Sequence, residues 1–401
     1  MVNGRTSDAW RDVNLFAPTD EHRLLAETVQ AFVTQEVEPQ AAQFNREERF
    51  NLALFRRAGE LGLLGLTVPE AEGGAGLDAT AAVMVHEALS AADPGFCLAY
   101  LAHSVLFIHN FAHNANAAQR ARVLPKAISG EWIGGMCMTE PEAGTDVLGM
   151  KSHAVRDGDH YVLDGRKMFI TNGAIDDQTL GDVFIVYAKT NGQISTFLVE
   201  KGFPGFALGQ RLHDKLGVRA SLTAELIFDH CIVPVDNLIG REGESAKHMM
   251  RNLEIERLTL AAMSLGIALR CLEVMVAYAN ERKTFGVPIR EHGQIQRYIA
   301  ESYAECKAAR CYVYDVARRL DLNSFGNRIE ADAAKLFAAR VGKDIADRAI
   351  QVLGGYGYMG EYVVERLWRD AKLLEIGGGT IEAHQKNITR DLTRAPELIR
   401  R

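Results

Sequence analysis

Apolar residues keep two different periods along this chain. Over residues 20–124 they recur at three- and four-residue spacing, and the same helical period returns at about Ser245 and holds almost to the C-terminus. Over residues 132–238 apolar and polar residues alternate, which is the strand period. In the first segment Leu24, Leu25, Val29, Phe32 and Val33 form one stripe. Thr19 is the expected N-cap, and His22 stands where a capping box needs Glu or Gln, so half of that motif is missing. Pro39 marks a kink or stop. Residues 51–63 read as a second helix and Gly73-Gly74-Ala75-Gly76 as a loop. Two Ala-rich helices follow, split near Asp93-Pro94-Gly95.

In the middle segment Tyr161-Val162-Leu163, Val183-Phe184-Ile185-Val186-Tyr187, Ser195-Thr196-Phe197-Leu198-Val199 and Ala224-Glu225-Leu226-Ile227-Phe228 read as strands. Asp157-Gly158-Asp159 and Asn191-Gly192 are their turns. The spacing predicts an antiparallel β unit of the size of a small barrel or sandwich. Residues 249–279, 294–320 and 328–353 read as three long helices. Glycine clusters at Gly354-Gly355-Tyr356-Gly357 and Gly377-Gly378-Gly379 interrupt the last stretch. Long helices without strong internal caps indicate a bundle that buries part of its surface against another subunit. The expected architecture is α+β in three parts: an N-terminal helical domain (19–131), a middle β domain (132–244) and a C-terminal helix bundle (245–401).

Composition narrows the function classes. With 47% hydrophobic and 24% charged residues over 401, the chain can bury a large core, and most of it is excluded from disorder. No uninterrupted apolar run nears the ~20 residues of a membrane span. The net charge is -7 and no long basic block occurs, which argues against a nucleic-acid partner. The six cysteines form no CxxC pair and no zinc-like spacing, so no metal site is expected, and a reducing compartment suits them. Residues 1–16 carry Arg5, Asp8, Arg11 and Asp12 and no apolar core, unlike a targeting signal. A bacterial cytoplasmic protein is the simpler expectation, with a mature mitochondrial matrix form as the alternative.

Four motifs carry chemistry. Residues 136–146 combine hydroxyls, a Pro-fixed bend and Gly144, and could hold the polar edge of a planar ring and a phosphate; the plainer reading is a helix-to-strand connection. Residues 167–173 are a strand ending in a hydroxyl and a turn. Arg282 and Lys283 end a long helix, either as charges favoured by its dipole or, for Arg282, as a phosphate anchor. Gln351 to Gly355 lets a backbone approach a ligand closely, or is a glycine helix stop.

Taken in order, "MTEPEAGTDV", "GRKMFITNG", "ERKTFG", "QVLGGYGY" and "RLWRDAKLLEIGGGT" resemble the acyl-CoA dehydrogenase family of flavoproteins over residues 20–392. "NLEIERLTLA" and "LLEIGGGT" look most like its isovaleryl-CoA dehydrogenase branch. The resemblance implies FAD, a homotetramer, oxidation of an acyl-CoA to the 2-enoyl-CoA, and an electron-transferring flavoprotein as partner. It implies flavin contacts from Met138, Thr139, Gly144 and Thr145, and from Phe169, Ile170 and Thr171. Thr145 also matches a substrate hydroxyl. Phe169 replaces a more usual Trp, keeping an aromatic face but losing an N–H donor. Arg282, Gln351, Gly354 and Gly355 match contacts to the cofactor of a neighbouring subunit, Thr284 and Phe285 are further cofactor candidates, and Thr380 and Glu382 match contacts after the glycine run. The family's usual Gln falls on Gly293, with Gln294 one residue late.

An α-proton beside a thioester is weakly acidic, so the reaction needs a carboxylate base and a donor to the developing enolate oxygen. Most family members place that base within "YEGT", where this chain has Gly377-Gly378-Gly379-Thr380. The isovaleryl-type motif Glu254-Ile255-Glu256-Arg257 puts it at Glu256, with the Gly378 backbone N–H as donor; the plainer reading of Glu256 is a solvated helix carboxylate. Glu254 matches an acidic CoA-binding position, and Arg257 and Gly377 are further substrate candidates. Two residues apart, Glu254 and Glu256 are about 200° apart around a helix. Gly377 and Gly378 are expected to free volume beside the substrate β-carbon for a branched acyl group. Cys97, where glutaryl-CoA enzymes carry Arg, counts against that substrate, as does the missing Glu. Citronellyl, long-chain or aryl-substituted acyl-CoA, a flavin oxidase or monooxygenase, and a non-catalytic FAD-binding protein remain open.

Overall fold

The computed structural model describes residues 14–324 and 326–400, so most of the N-terminal stretch read for a targeting signal lies outside the described residues. α1 (Asp20–Phe32) starts at Thr19, whose Oγ1 accepts the His22 N–H at 3.3 Å. Leu25, Val29, Phe32 and Val33 are buried, but Leu24 is 66% exposed and leaves the stripe. A π-helical stretch, Val33–Val37, leads into α2 (Glu38–Arg46). Pro39 directly follows the π-helical turn, and the helical path continues through it rather than stopping. α3 (Leu52–Glu60) is capped by Asn51. α4 (Ala79–Ala92) and α5 (Pro94–Leu101) part at Asp93, whose carboxylate accepts the Phe96 N–H. α6 (Asn110–Asn114) and α7 (Ala117–Ile128) complete this part, α7 with a full capping box from Asn116 and Gln119.

The strands are β1 (Gly134–Cys137), β2 (His153–Asp157), β3 (His160–Thr171), β4 (Val183–Thr190), β5 (Gln193–Glu200), β6 (Phe206–Arg211), β7 (Thr223–Pro234) and β8 (Leu238–Ile239). They form one sheet in the order β6-β7-β3-β2-β4-β5-β8, with β1 also on β4. The sheet is mainly antiparallel, but β1 pairs with β4 in parallel, which the alternation alone did not predict. The stretch after Cys137 is therefore a strand-to-strand connection, not the helix-to-strand link expected. Cys137, Phe184, Phe197, Phe206 and Phe228 belong to a core of the sheet's own.

α8 (Ala246–Glu281) is the central post of the last part. A small hairpin, β9 (Lys283–Thr284) and β10 (Val287–Pro288), turns the chain at Phe285 and Gly286 into α9 (Gly293–Arg319) and α10 (Arg328–Leu353). α11 (Val364–Leu374) and α12 (Ile381–Arg394) follow. α8 packs on α4, α9, α10 and α11, so the first and last helical parts share one core. Gly266 permits this: a Cβ there would lie 2.2 Å from both Glu87 O and Ser90 Oγ. Two helical stretches, Pro94–Asn114 and Ala246–Glu281, do reach the length and apolar content of a membrane span, contrary to expectation, but most of each apolar window is buried inside the protein. Five of the cysteines are buried, whereas Cys311 is exposed.

Candidate active site

The buried stretch of α8 carries Glu254, Glu256 and Arg257. Glu256 is 7% exposed, not solvated, and its Oε2 has no hydrogen-bond partner among the described residues. Burial pushes its carboxyl up to about 7, against the opposing pull of Arg257 and Lys335. A carboxyl that changes charge near neutrality, with one oxygen uncommitted, has the properties of a general base.

Glu256 lies against the glycine turn that joins α11 to α12. Gly378 has φ +65°, a left-handed conformation that suits glycine. A Cβ built there would lie 2.2 Å from Leu260 Cδ1 and 3.4 Å from Glu256 Oε1. The α8 side chains thus occupy the space a residue-378 side chain would need. This corrects the expected free volume at Gly378; a Cβ at Gly377 would make ordinary van der Waals contact with Leu373, nearest atom at 3.6 Å. Among the described residues, no acceptor takes the Gly378 N–H.

Two buried basic side chains hold this turn from behind. Lys335 on α10 is 0% exposed, and its Nζ donates to Gly377 O at 2.7 Å and Gly379 O at 2.6 Å. Arg257 Nε donates to Gly378 O at 3.4 Å, and its Nη1 lies 2.9 Å from Asp332 Oδ1. His384 Nδ1 sits 2.6 Å from the same oxygen. Arg257, expected at the substrate, contacts the glycine turn and Asp332. Glu254 accepts the Gly326 and Asn327 N–H groups at 3.4 and 3.0 Å, so this expected CoA contact is engaged at the entry to α10.

The two motifs read for a planar ring meet at the sheet. Met168 N–H donates to Thr139 O at 2.9 Å, and the buried Lys167 Nζ donates to Met138 O at 3.2 Å and Glu140 Oε1 at 2.8 Å. The register of β3 slips between Lys167 and Ile170. That bulge turns Phe169 outward at φ +62° with 66% of its surface exposed, while Ile170 is buried and Thr171 stays in the ladder. Gly144 and Thr145 are exposed on the neighbouring loop. An outward aromatic face beside hydroxyls suits a flat heteroaromatic ring.

A separate groove of about 600 Å³ is lined by Arg282, Thr284, Gly354, Gly355, Tyr356 and Met359, among others. A Cβ at Gly354 or Gly355 would meet nothing within 4 Å, so bare backbone faces open space beside the Arg282 cation, as an anionic group requires. Gln351 and Phe285 do not line it; Phe285 is 98% exposed at the hairpin tip. Gln294 is exposed near the start of α9, one residue after Gly293. Neither residues 138–145 nor 169–171 reach this groove, so one chain keeps the expected cofactor contacts in separate sets. Thr380 caps α12, accepting the Ala383 N–H at 3.2 Å, and Glu382 lies in its first turn. Among the described residues, Asp164, Asp229 and His230 have ligand-compatible spacing; Asp164 already accepts the His230 N–H at 2.8 Å.

Three family models cover the chain in register with this architecture: the acyl-CoA dehydrogenase N-terminal domain over residues 19–131, the middle domain over 135–231 and the C-terminal domain over 246–393. The chain belongs to the acyl-CoA dehydrogenase family. It is 42% identical over 385 residues to the mitochondrial isovaleryl-CoA dehydrogenase of Oryza sativa subsp. japonica, covering 94% of this chain and 92% of that one. Butyryl-CoA dehydrogenase from Megasphaera elsdenii superposes with a TM-score of 0.89 at 32% identity, covering 94% and 98% of the two chains. An acyl-CoA dehydrogenase complexed with FAD from Bacillus anthracis superposes at 0.88 with 33% identity, covering 94% of this chain and 68% of that one. The acyl-CoA dehydrogenase fold, helices on either side of a β unit, is thus common to all of them.

The sequence reading missed Lys335, Asp332 and His384. A signal was present: Asp332 and Lys335 interrupt the otherwise Ala-rich run of residues 331–339, and charged residues on the buried face of a helix must face each other or a site.

Proposed function

We propose that this enzyme dehydrogenates an acyl-CoA thioester between Cα and Cβ, with Glu256 taking the α-proton, and that its substrate is a branched acyl-CoA of the isovaleryl type. The observation that carries the base assignment is the buried Glu256 carboxylate with a free oxygen against the side-chain-less Gly378. Burial keeps the carboxyl from ionising too early, so proton transfer is matched to neutral pH. The Gly378 N–H is the candidate donor to the thioester oxygen as charge develops there.

The family binds FAD, and the residues fit it: Phe169 and Thr171 with residues 138–145 suit the ring, and Arg282 with Gly354 and Gly355 suits the charged half. When bound, FAD supplies the acceptor for the β-hydride, and an electron-transferring flavoprotein takes the electrons onward. Because the two contact sets are separate, we infer a homotetramer in which neighbouring chains complete each other's sites.

The isovaleryl-CoA dehydrogenase relative, together with a residue 377 that carries no side chain and would admit a Cβ without clash, supports the branched substrate. The test is kcat/KM for isovaleryl-CoA against butyryl-CoA, with enoyl-CoA detected directly, in the wild type and Gly377→Tyr. A methyl group in an apolar pocket is worth about 1–3 kcal/mol, so the preference is modest. The wild type should favour the branched ester and Gly377→Tyr should lower that ratio; a straight-chain preference in the wild type overturns the substrate assignment.

A further inference from the structure

Lys335 is buried completely in α10, where an ammonium is costly unless something holds it. Its nitrogen donates to Gly377 O and Gly379 O, the carbonyls on either side of Gly378, while Arg257 takes the carbonyl of Gly378 itself. Three consecutive carbonyls of a side-chain-free turn are thus fixed by two basic side chains. Two of those glycines have positive φ, +65° at Gly378 and +109° at Gly379. Glycine backbone has little intrinsic preference between conformers, so a peptide plane here turns over easily unless it is held.

The peptide joining Gly377 to Gly378 is trans, so its C=O and N–H point in opposite directions. Holding Gly377 O therefore sets the direction of the Gly378 N–H. A cation on the carbonyl also polarises the same amide and strengthens its N–H as a donor. We propose that Lys335 is a positioning residue: it aims and strengthens the Gly378 N–H for the thioester oxygen, and its charge keeps the Glu256 carboxylate available as base. This rests on the function proposed above and deepens it.

The charged and titratable groups facing this pair come from every neighbouring element. α8 contributes Glu256 and Arg257, α10 Asp332 and Lys335, α12 His384, the end of α11 Glu375, and β4 Tyr187. Of these, the Lys335 and Arg257 charges oppose the rise that burial imposes on Glu256. Burial pushes the Lys335 ammonium itself down to about 7, with Glu256 pulling the other way, so the two groups titrate as a pair and removing the Lys335 charge moves Glu256 ionisation to higher pH.

The test compares wild type, Lys335→Met, Lys335→Arg and Glu256→Gln holoenzymes in two measurements. The first is the infrared carbonyl stretch of a bound, isotope-labelled 2-enoyl-CoA. Wild type and Glu256→Gln should both lower it relative to solution, and Lys335→Met should return it towards the solution value. The second is the pH profile of kcat: the acidic limb should move up by about one pH unit in Lys335→Met. Its plateau should fall roughly tenfold to a hundredfold, less than or equal to the loss of a whole oxyanion donor. Lys335→Arg should keep the limb near its wild-type position. If Lys335→Met does not fold, Lys335→Gln, which keeps a donor but no charge, is read in the same way. Wild-type carbonyl frequency and acidic limb in a neutral variant overturn the proposal, as does failure of both neutral variants to fold. Absence of a carbonyl shift in the wild type itself would instead overturn the underlying assignment of Gly378.

Discussion

A buried carboxylate with one unpaired oxygen is a stability cost as well as a catalytic asset, and at Glu256 the two can be separated by pH. Its folded-state ionisation lies at about 7, above the ordinary 4.5. Below about pH 4.5 the group is protonated in folded and unfolded chains alike and contributes no difference. As pH rises from there to 7, the folded state keeps the proton longer than the unfolded one, so stability falls through this window and stays lower above it. The shift corresponds to about 3 kcal/mol. Glu256→Gln should therefore raise the melting temperature relative to wild type at pH 8 and give only a small gain, about a quarter of that, at pH 5, read by calorimetry on holoenzyme. An equal effect at both pH values would mean that Glu256 ionises like a surface carboxyl.

At the scale of elements, the long periodic helices were the most legible part of the sequence. α10 begins and ends where its pattern does, because a 26-residue stripe outvotes local exceptions. Pro39 and Leu24 misled for different reasons: a proline beside a π-helical turn need not break the helical path, and an apolar residue next to a stripe need not belong to it. The parallel pairing of β1 with β4 was invisible because alternation reports which face is buried, not which strand is the neighbour. The glycine turn was legible as a missing carboxylate. The side chains that fill its space and hold its carbonyls come from α8 and α10, more than 40 positions away, and no local pattern links them. Glu254 is a second case where motif and packing diverge. Its carboxylate anchors the chain just before α10 through two backbone N–H groups, close to the helix's positive end. Glu254→Ala should cost about 1–2 kcal/mol in denaturant unfolding and leave KM for acyl-CoA nearly unchanged. A KM rise without loss of stability would restore the CoA-binding role that the motif suggests.

Across the whole molecule, three observations point beyond the single chain. The groove at Arg282 lies apart from residues 138–145 and 169–171, the hairpin tip presents Phe285 at 98% exposure, and Tyr358 and Met359 are 82% and 58% exposed. Exposed aromatic and thioether surface of this kind supports the shared site proposed above. Arg282→Ala should then lose bound FAD and weaken oligomer assembly together, followed by absorbance and analytical ultracentrifugation. An FAD-loaded monomer of the wild type would contradict a shared site. The three-part order of helices, sheet and helices was readable from the two periods alone; the sharing of one core by α4 and α8 was not, because periodicity does not say which faces meet.

The central claim is that Glu256, and not a residue of the glycine turn, removes the α-proton. Rapid mixing of FAD-loaded Glu256→Gln with the best acyl-CoA substrate, under anaerobic conditions at pH 8, tests it most directly by following loss of flavin absorbance in a single turnover. A proton-transfer catalyst is typically worth about 10²–10⁴-fold, so bleaching should slow by at least a hundredfold while acyl-CoA binding and FAD content stay near wild type. Bleaching within a few fold of the wild-type rate would contradict the assignment.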